Sequence, residues 1–366
     1  MSPVSWWNDL SRISRFLADK ARSENLLSSA TRYLRSRGIL LPMSWEAYRF
    51  QTYWQERWNR LPARSLAGVR VGGQPGLVSI VMPVFNGEEW MHSAIQSVIR
   101  QTYSHWELIA VDDGSTDHSG ILLDEWASKE SRIRVIHQEN RKLPGALNRG
   151  FRLAAGEFLT WTSCDNLLRP NFIDTMVKAL KDHPEWDMVY ADFDLIDADG
   201  EPLRWSKEYV TYQSPLGSPH IHLPVHTAEL NILPNNIVGP AFLYRRRVYS
   251  LIGEYSEYRF TVEDYDYWMR INELLHLRHI PSSKELYEYR FHGGSLTSHK
   301  EGLKISDRTR QLIIYDDFRR DFCLTPCLWE VENDGSVEAL AWEKGLREVV
   351  GSSRIGIILD PSRGNH

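Results

Sequence analysis

A single carboxylate stands at the end of an apolar stretch in LTWTSCDN, residues 159–166. Asp165 follows a thiol, Cys164, and precedes an amide. An aspartate after a strand most often shapes a turn or caps a helix, which here would begin near Asn171. At the carboxyl edge of a parallel sheet the same residue can also bind a divalent metal ion. These residues alone leave both interpretations open.

Two pairs of neighbouring carboxylates also stand where they could bind a ligand or take up a proton. Asp112 and Asp113 begin the turn VDDGSTD, where one carboxylate can bind a ligand while the other shapes an Asx turn. Glu263 and Asp264 stand in VEDYDYW, where a carboxylate either caps a helix or acts as a general base. The chain therefore offers three carboxylate groups as candidates for one site.

The elements that position these groups alternate between strand and helix. The apolar segments LVSIVMPVF, WELIAVDDGS, IRVIHQ and EFLTWTS predict four strands, with helical patterns between them. This alternation predicts an α/β fold with a doubly wound, mostly parallel sheet and helices on both faces. Ligands of such sheets bind at the carboxyl ends of the strands, where Asn86, Asp112, Asp113 and Asp165 fall. The sequence has no GxGxxG or GxxxxGK[ST] loop, so we expect carboxylates and backbone groups to hold the ligand.

Beyond residue 166 the alternation weakens. DMVYADFDLID, residues 187–197, predicts one strand, and Asp197–Gly200 predicts a hairpin turn with a left-handed glycine. The segment Thr211–Pro234 is rich in proline and histidine and predicts a long loop. Its three histidines fit such a loop better than a metal cluster; they are His220, His222 and His226.

The composition is that of an ordinary globular protein, with 366 residues, 42% of them hydrophobic and 25% charged. A formal net charge of −5 argues against a general nucleic-acid partner. Three cysteines give neither a disulfide framework nor a zinc motif, which favours a reducing compartment. Because the sequence has no apolar run of bilayer length and no signal-peptide core, we expect a cytoplasmic protein.

The chain divides into four regions by pattern. Residues 1–67 predict a helical N-terminal extension, residues 68–76 a glycine-rich linker, and residues 77–300 the main domain. Residues 301–366 form a C-terminal extension without a readable motif. Within residues 1–36, tryptophans and arginines share helical segments, which fits packing on the main domain or peripheral contact with an anionic membrane.

Four blocks occur in a fixed order between Leu77 and Thr297: SIVMPVFNGEEW, QTYSHWELIAVDDGSTD, AAGEFLTWTSCDN and FTVEDYDYW. Together they resemble the family 2 glycosyltransferases, which have the GT-A fold. The resemblance implies inverting transfer of a sugar from a nucleotide-diphosphate sugar, with a UDP-sugar favoured, to a hydroxyl acceptor. The preceding WEAYRFQTYW weakly resembles bacterial surface-polysaccharide transferases. This implies a glycan or lipid-linked acceptor, and envelope or exopolysaccharide synthesis at the inner face of the membrane.

The resemblance also implies roles for individual residues. Asp165 matches the last aspartate of a DxD-type motif that binds Mg²⁺ or Mn²⁺, with Cys164 as a small spacer. His292, in YRFHGGSLT, matches a histidine near the metal and the diphosphate. Asp264 matches the base that deprotonates the acceptor, with Glu263 as its neighbour. The implied nucleotide-sugar site comprises Pro83, Val84, Phe85, Asn86, Glu88, Asp113, Ser115, Gly145, Asn148, Cys164 and Asp165. The implied acceptor and sugar pocket comprises Gly239, Pro240, Ala241 and Trp268.

Two other functions stay open on the sequence. A sugar-nucleotide-binding module without turnover is compatible with a cysteine in the metal motif. A nucleotidyltransferase also uses a doubly wound sheet and a metal ion, but it normally carries a basic, glycine-rich phosphate loop near the first strand. The acidic PVFNGEEW stands at that position here. Metal-dependent release of the nucleotide from the donor distinguishes transfer from simple binding.

Overall fold

The computed structural model describes residues 72–204, 217–225, 227, 230–231, 236–280, 286–299 and 301–324. The predicted extension 1–67, with its membrane-contact segment 1–36, lies outside the described residues, and so does His226. The first strand begins at Gln74, so the predicted linker 68–76 ends earlier than its glycines suggest. No helix in the described part of the chain combines the length and the apolar character needed to cross a bilayer.

Strands and helices alternate through the first half of the domain. The strands are β1 (Gln74–Val84), β2 (Trp106–Asp112), β3 (Ile133–His137), β4 (Gly156–Trp161), β5 (Leu167–Leu168), β6 (Met188–Ala191), β7 (Phe193–Ile196), β8 (His220–Ile221), β9 (Phe242–Arg245), β10 (Leu277–Ile280) and β11 (Tyr287–Arg290). The helices are α1 (Glu88–Ile99), α2 (Ser119–Lys129), α3 (Lys142–Leu153), α4 (Phe172–Asp182), α5 (Arg246–Ile252), α6 (Glu263–Leu274) and α7 (Ile305–Leu324). Short 3-10 helices span Glu257–Arg259 and Leu296–His299.

Seven of the described strands form the main sheet, in the order β10-β6-β9-β4-β1-β2-β3. Strands β1 to β4 are mutually parallel, β6 is parallel to β10, and β9 runs antiparallel between β4 and β6. The predicted α/β, mostly parallel sheet is therefore confirmed. The four predicted strands are β1 to β4, and their carboxyl ends lie at one edge of the sheet. Because β9 runs the other way, it begins at this same edge, and the segment 236–241 leads into it there.

The core forms where the helices cover the sheet. Helix α1 buries Met91, Ala94, Ile95 and Val98, which recur at helical spacing. Burying a large apolar side chain such as these contributes about 1.5–3 kcal/mol. Helix α3 approaches β1 closely at Gly150, where a Cβ atom would meet a methyl group of the underlying strand at 2.4 Å. This packing fixes the loops that leave the carboxyl ends of the strands.

The segment 187–197 is two strands rather than the single strand that was predicted. It breaks at Asp192, so that β6 stays in the main sheet while β7 joins a second sheet of order β5-β11-β7-β8. The Asp192 carboxylate is buried and accepts hydrogen bonds from the His279 ring and the Leu223 amide. A buried carboxylate needs such partners, and they come from distant parts of the chain that no local pattern reveals.

The predicted turn Asp197–Gly200 is confirmed. Gly200 has a φ of +89°, and the Asp197 carboxylate accepts hydrogen bonds from the amides of Asp199 and Glu201 at 3.0 and 2.9 Å. Only glycine adopts such a backbone without steric cost, which explains its place in the turn. The turn projects toward the edge of the sheet that carries Asp165.

Candidate active site

Side-chain hydrogen bonds join the loops that follow β1 and β2. The Asn86 carbonyl oxygen Oδ1 accepts the Thr116 amide at 2.8 Å, and the Asn86 amide donates to the Ser115 hydroxyl at 3.1 Å. Glu88 begins α1, and its Oε2 accepts both the backbone and the ring N–H of His118 at 2.8 and 2.9 Å. Asn86 adopts a left-handed φ of +53°, and its two hydrogen bonds to the β2 loop offset the cost of this backbone conformation. The two loops therefore form one preorganised wall of a cleft.

The two aspartates of the β2 turn have different surroundings. Asp112 shapes the turn, because its Oδ1 accepts the Ser115 amide while its Oδ2 lies 2.9 Å from His137 Nδ1. Asp113 is buried, and its Oδ1 accepts hydrogen bonds from Gln138 Nε2 and the Arg141 amide at 2.7 and 2.8 Å. No donor from the described residues reaches Asp113 Oδ2. That oxygen is thus the acceptor that the turn offers to a ligand.

The end of β1 offers an apolar surface beside Asp113. Phe85 is 53% exposed, a large fraction for an aromatic side chain in an ordered loop. Val84 is buried, and its carbonyl accepts the Asp113 amide at 2.8 Å. Pro83 and Asn86 are at least partly exposed on either side. Of the predicted stretch Pro83 to Asn86, Phe85 thus presents the largest surface to a planar ligand, and Val84 supports it from the core.

Asn148 lies deeper than its predicted role requires. Its side chain is buried, with Nδ2 donating to the Tyr255 carbonyl and Oδ1 accepting the Tyr255 amide, both at 2.8 Å. It therefore holds the segment around Tyr255, and we correct its predicted contact with the nucleotide to a supporting one. Gly145 is also buried, and a Cβ there would lie 2.6 Å from Arg141 Cβ. It allows the close approach of the Arg141 backbone that binds Asp113.

Asp165 lies just beyond β4 and is paired with His292. Its Oδ2 lies 2.9 Å from His292 Nε2, and the Gly294 amide donates to His292 Nδ1 at 3.2 Å. Since Nδ1 accepts, the ring proton is on Nε2 and is donated to Asp165. The other oxygen, Asp165 Oδ1, is buried and has no partner within the described residues. Helix α4 follows Asn171 without a side-chain cap, so the capping interpretation of Asp165 does not hold.

The surroundings of Asp165 show whether it suits the divalent ion that the resemblance implies. A buried carboxylate oxygen without a donor is costly, and a cation beside it removes that cost. The opposite oxygen is held by a histidine, an arrangement that orients metal-binding carboxylates. Carboxylate oxygen is also the ligand type that Mg²⁺ and Mn²⁺ prefer. The residues present therefore fit a hard divalent cation.

Cys164 fits the spacer role and not that of a ligand. Burial, and then the charge of Asp165, raise the pKa of its thiol well above the usual value, so the sulfur stays protonated. A thiol binds metal only as the thiolate. The sulfur packs against Gly87, where a Cβ atom would lie 2.5 Å from Sγ. The position thus calls for a small side chain beneath the cleft.

Two residues near Asp165 escaped the sequence analysis. Buried Arg290 donates from Nε to the Asp165 carbonyl at 2.9 Å and from Nη1 to the carbonyls of Asp197 and Ala198. The indole Nε1 of Trp90 donates to Ala198, and its ring lies 4.0 Å from that of His292. Both residues hold the Asp197–Gly200 turn close to Asp165 and His292. In the sequence, the strand-like alternation of YRFH places Arg290 and His292 on one face, and this pattern could have marked Arg290 as a neighbour of the site.

Asp264 lies in the first turn of α6, at the carboxyl edge of the main sheet. It is partly exposed, and its Oδ2 accepts Asn236 Nδ2 at 2.9 Å while Oδ1 accepts the Tyr265 amide at 2.6 Å. The cap position itself is Val262, which makes no side-chain cap. Asn236 belongs to the segment before β9, which begins at this same edge. Nothing in the sequence around Asn236 marks this asparagine as a partner of Asp264.

The neighbouring Glu263 has a contrasting environment. It is 2% exposed, and its Oε2 has no partner in the described part of the chain. Burial, and then the charge of Asp264, raise the pKa of Glu263 to about 8. Burial also raises the pKa of Asp264, against hydrogen bonds from Tyr265 and Asn236. Because two adjacent carboxyl groups resist double ionisation, the buried one keeps the proton at neutral pH and Asp264 is the anion.

Glu263→Gln is expected to become more stable relative to wild type as the pH rises. Below about 4.5, the usual pKa of a glutamate, Glu263 is neutral in both the unfolded and the folded chain. Between that pH and about 8 only the unfolded chain ionises, so wild type loses on the order of 1 kcal/mol per pH unit at most. Glutamine has no such loss. Melting temperatures of both proteins at pH 5 and pH 8 measure this; a constant difference between them would contradict the burial of a neutral acid.

The four predicted pocket residues divide into two layers. Gly239 and Pro240 are partly exposed, and a Cβ on Gly239 would lie 2.7 Å from the ring of Phe193. Ala241 and Trp268 are buried, and Trp268 packs against Phe242 with a centroid distance of 4.6 Å. The first two can contact a ligand directly. Ala241 therefore lies beneath the predicted pocket instead of lining it, and the burial of Trp268 fits a supporting role in the core.

The sheet topology and the carboxylates at its edge define an α/β domain of the GT-A type. Residues 79–253 match the family model "Glycosyl transferase family 2". This segment thus belongs to the family 2 glycosyltransferases.

The similarity to known proteins covers part of this chain and part of each relative. An uncharacterized glycosyltransferase of Rickettsia felis is 34% identical over 199 residues, which are 53% of this chain and 31% of the relative. The chain thus spans less than a third of that relative's length. The solved TarS 1–349 of S. aureus in complex with UDP is 15% identical, with a TM-score of 0.45 over 76% of this chain and 91% of that one. Mannosyltransferase PcManGT from Pyrobaculum calidifontis, in complex with GDP-Man and Mn²⁺, is 13% identical, with a TM-score of 0.47 over 87% and 86%.

Proposed function

We propose that this domain transfers a sugar from a nucleotide-diphosphate sugar to a hydroxyl acceptor with inversion at the anomeric carbon. The observation that carries the proposal is Asp165 Oδ1, a buried carboxylate oxygen without a partner in the described residues, at the sheet edge where ligands of such folds bind. Asp113 and Asp264 lie at the same edge. One arrangement of strands thus brings together three carboxylates that could bind a donor, hold a cation and act as a base, which supports the proposal.

The nucleoside binds against the wall formed by the β1 and β2 loops. Asp113 Oδ2 accepts a hydrogen bond from the N3–H of a uracil, which is why we favour a UDP-sugar. Phe85 supplies an apolar face for the planar base. Hydrogen bonds from Asn86 to Ser115 and from His118 to Glu88 hold this wall in place before the donor binds, which lowers the entropic cost of binding.

The diphosphate lies toward Asp165. Asp165 and His292 would hold Mg²⁺ or Mn²⁺, and the bound ion supplies positive charge to the leaving diphosphate. In the structure His292 donates its proton to Asp165, so its first role is to orient that carboxylate. Direct ligation by His292 requires this proton to leave. Arg290 fixes the backbone of Asp165 from below and adds a buried positive charge to the region.

Asp264 acts on the acceptor. It takes the proton from the acceptor hydroxyl as the oxygen bonds to the anomeric carbon and the bond to the diphosphate breaks. Asn236 and the Tyr265 amide orient the carboxylate, and the neutral Glu263 beside it adds no competing charge. Gly239 and Pro240 line the sugar and acceptor side. We further propose a glycan or lipid-linked acceptor, in envelope or exopolysaccharide synthesis, because of the sequence blocks and the preceding WEAYRFQTYW.

The proposal is tested by incubating the purified chain with UDP-glucose, UDP-N-acetylglucosamine and GDP-mannose, with Mn²⁺ or with EDTA. We expect slow release of the nucleoside diphosphate from one donor, dependent on the metal and faster when a suitable acceptor is present. Tight donor binding without release across the panel would instead identify a binding module. Pyrophosphate release from a nucleoside triphosphate and a sugar phosphate would identify a nucleotidyltransferase.

A further inference from the structure

A second group of metal-ligating side chains lies where the two sheets meet. Asp192 stands at the break between β6 and β7, His220 begins β8, and His222 follows it. One ligand atom from each of the three residues lies within 4.8 Å of the others. The sequence suggested a plain loop here, because Asp192 lies 30 residues before His222 and only the fold brings them together.

The two oxygens of Asp192 have different roles. Oδ1 accepts His279 Nε2 at 2.7 Å and the Leu223 amide at 2.8 Å, which fixes the carboxylate in the buried junction. Oδ2 faces two imidazole nitrogens, His222 Nδ1 at 3.1 Å and His220 Nε2 at 3.8 Å. One oxygen thus anchors the carboxylate, and the other is presented together with two histidines.

His220 is oriented as metal-binding histidines usually are. Its Nδ1 lies 2.7 Å from Asp194 Oδ1, so the Nδ1–H donates to that carboxylate. Nε2 faces the Asp192 carboxylate at 3.8 Å. Ligand atoms about 2.0–2.2 Å from one zinc ion lie roughly 3–4 Å apart, so this separation fits a shared ion. A carboxylate behind a histidine is the usual outer support of such a site.

We propose that Asp192, His220 and His222 bind a transition-metal ion, with Zn²⁺ as the preferred species, in a site separate from Asp165. Two imidazoles and one carboxylate suit Zn²⁺ better than Mg²⁺. The His222 side chain is 44% exposed, which leaves room for a water molecule as a further ligand. The ion ties the loop 217–225 to the junction of β6 and β7.

The two metal sites lie at opposite ends of β7. Asp192 precedes this strand, whereas the amide of Phe291, the neighbour of His292, bonds to Ile196 at its far end. The four residues of β7 span roughly 13 Å. The new site adjoins the predicted sugar pocket, because Leu223, whose amide bonds to Asp192, has a side chain that would lie 3.1 Å from a Cβ on Gly239. Fixing Leu223 through Asp192 thus also fixes one wall beside Gly239.

The test measures zinc on the full chain in the Asp165→Asn background, which removes the cation site at the sheet edge. After dialysis against buffered ZnCl₂, we expect one zinc ion per chain and a higher melting temperature than in EDTA. Adding His222→Ala should weaken zinc binding by at least about a hundredfold and abolish the thermal shift. Because the His222 side chain is partly exposed, the melting temperature of the His222→Ala variant in EDTA should stay close to that of the parent.

His183→Ala is the matched control. His183 is another partly exposed histidine beside a carboxylate, 3.2 Å from Glu185, and its removal should leave zinc binding unchanged. The proposal is overturned if the Asp165→Asn protein binds no zinc at micromolar concentrations. It is also overturned if His222→Ala retains wild-type zinc binding, or if His183→Ala weakens zinc binding as much as His222→Ala does.

Discussion

Asp264→Asn is expected to lower the rate of sugar transfer by about two to four orders of magnitude, the usual contribution of a general base. Asparagine keeps the size of the side chain and can still accept the Tyr265 amide, but it takes no proton at neutral pH. Donor affinity should stay near that of wild type, because Asp264 contacts the acceptor. Calorimetry with the donor and transfer rates at saturating donor measure the two effects separately.

Glu263→Gln is the control for this experiment. The two carboxyl groups are adjacent in sequence, but Glu263 already holds a proton at neutral pH, so glutamine resembles its natural state. We expect its transfer rate to stay within a few fold of wild type. Near-normal transfer by Asp264→Asn would remove Asp264 from the role of base. Loss of donor binding together with transfer would move it to the sugar or metal side of the site.

Asp165→Asn is expected to weaken metal-dependent donor binding by at least about a hundredfold while the protein stays folded. Loss of an outer-shell partner alone typically costs 10–100-fold in metal affinity, so loss of the carboxylate ligand should cost at least as much. Asparagine keeps the hydrogen bond with His292 but supplies no negative charge for the cation. Titration of Mn²⁺ and of donor in its presence, with melting temperatures alongside, measures the effect.

Cys164→Ser is the matched control at the adjacent position. Since the thiol stays protonated, serine replaces it without loss of a ligand, and metal binding should change little. Wild-type affinity for Mn²⁺ and donor in Asp165→Asn would leave Asp165 with a purely structural role. A complete loss of metal binding in Cys164→Ser would show instead that the sulfur is a ligand.

The sequence predicted the parts of the molecule that depend on local pattern. Strands β1 to β4 are apolar runs closed by turns, and parallel strands bring their carboxyl ends to one edge, so the positions of Asp113 and Asp165 followed from the order of elements. The roles that failed depend on partners far away in sequence. The resemblance placed Asn148 in the nucleotide-sugar site, but its side chain is buried, because both its oxygen and its nitrogen bond to the backbone of Tyr255, 107 residues later.

The same reason explains the other differences. Asp192 interrupts a stretch whose apolar pattern continues on both sides, because its donors come from Leu223 and His279. In the sequence Asn236 is one polar residue in a loop, and only the fold brings its side chain to Asp264. Polar residues that are buried because they pair with distant residues leave no periodic pattern in the sequence, whereas apolar faces do.

The close packing of Gly87 and Cys164 constrains how this domain can evolve. Any side chain at position 87 would enter the space of the Cys164 sulfur, which lies 2.5 Å from the place of its first carbon. A relative with a larger, acidic residue at position 164 would therefore need to keep glycine at position 87, or move α1 outward. We expect the residues at positions 87 and 164 to change together among relatives, because the size of one limits the size of the other.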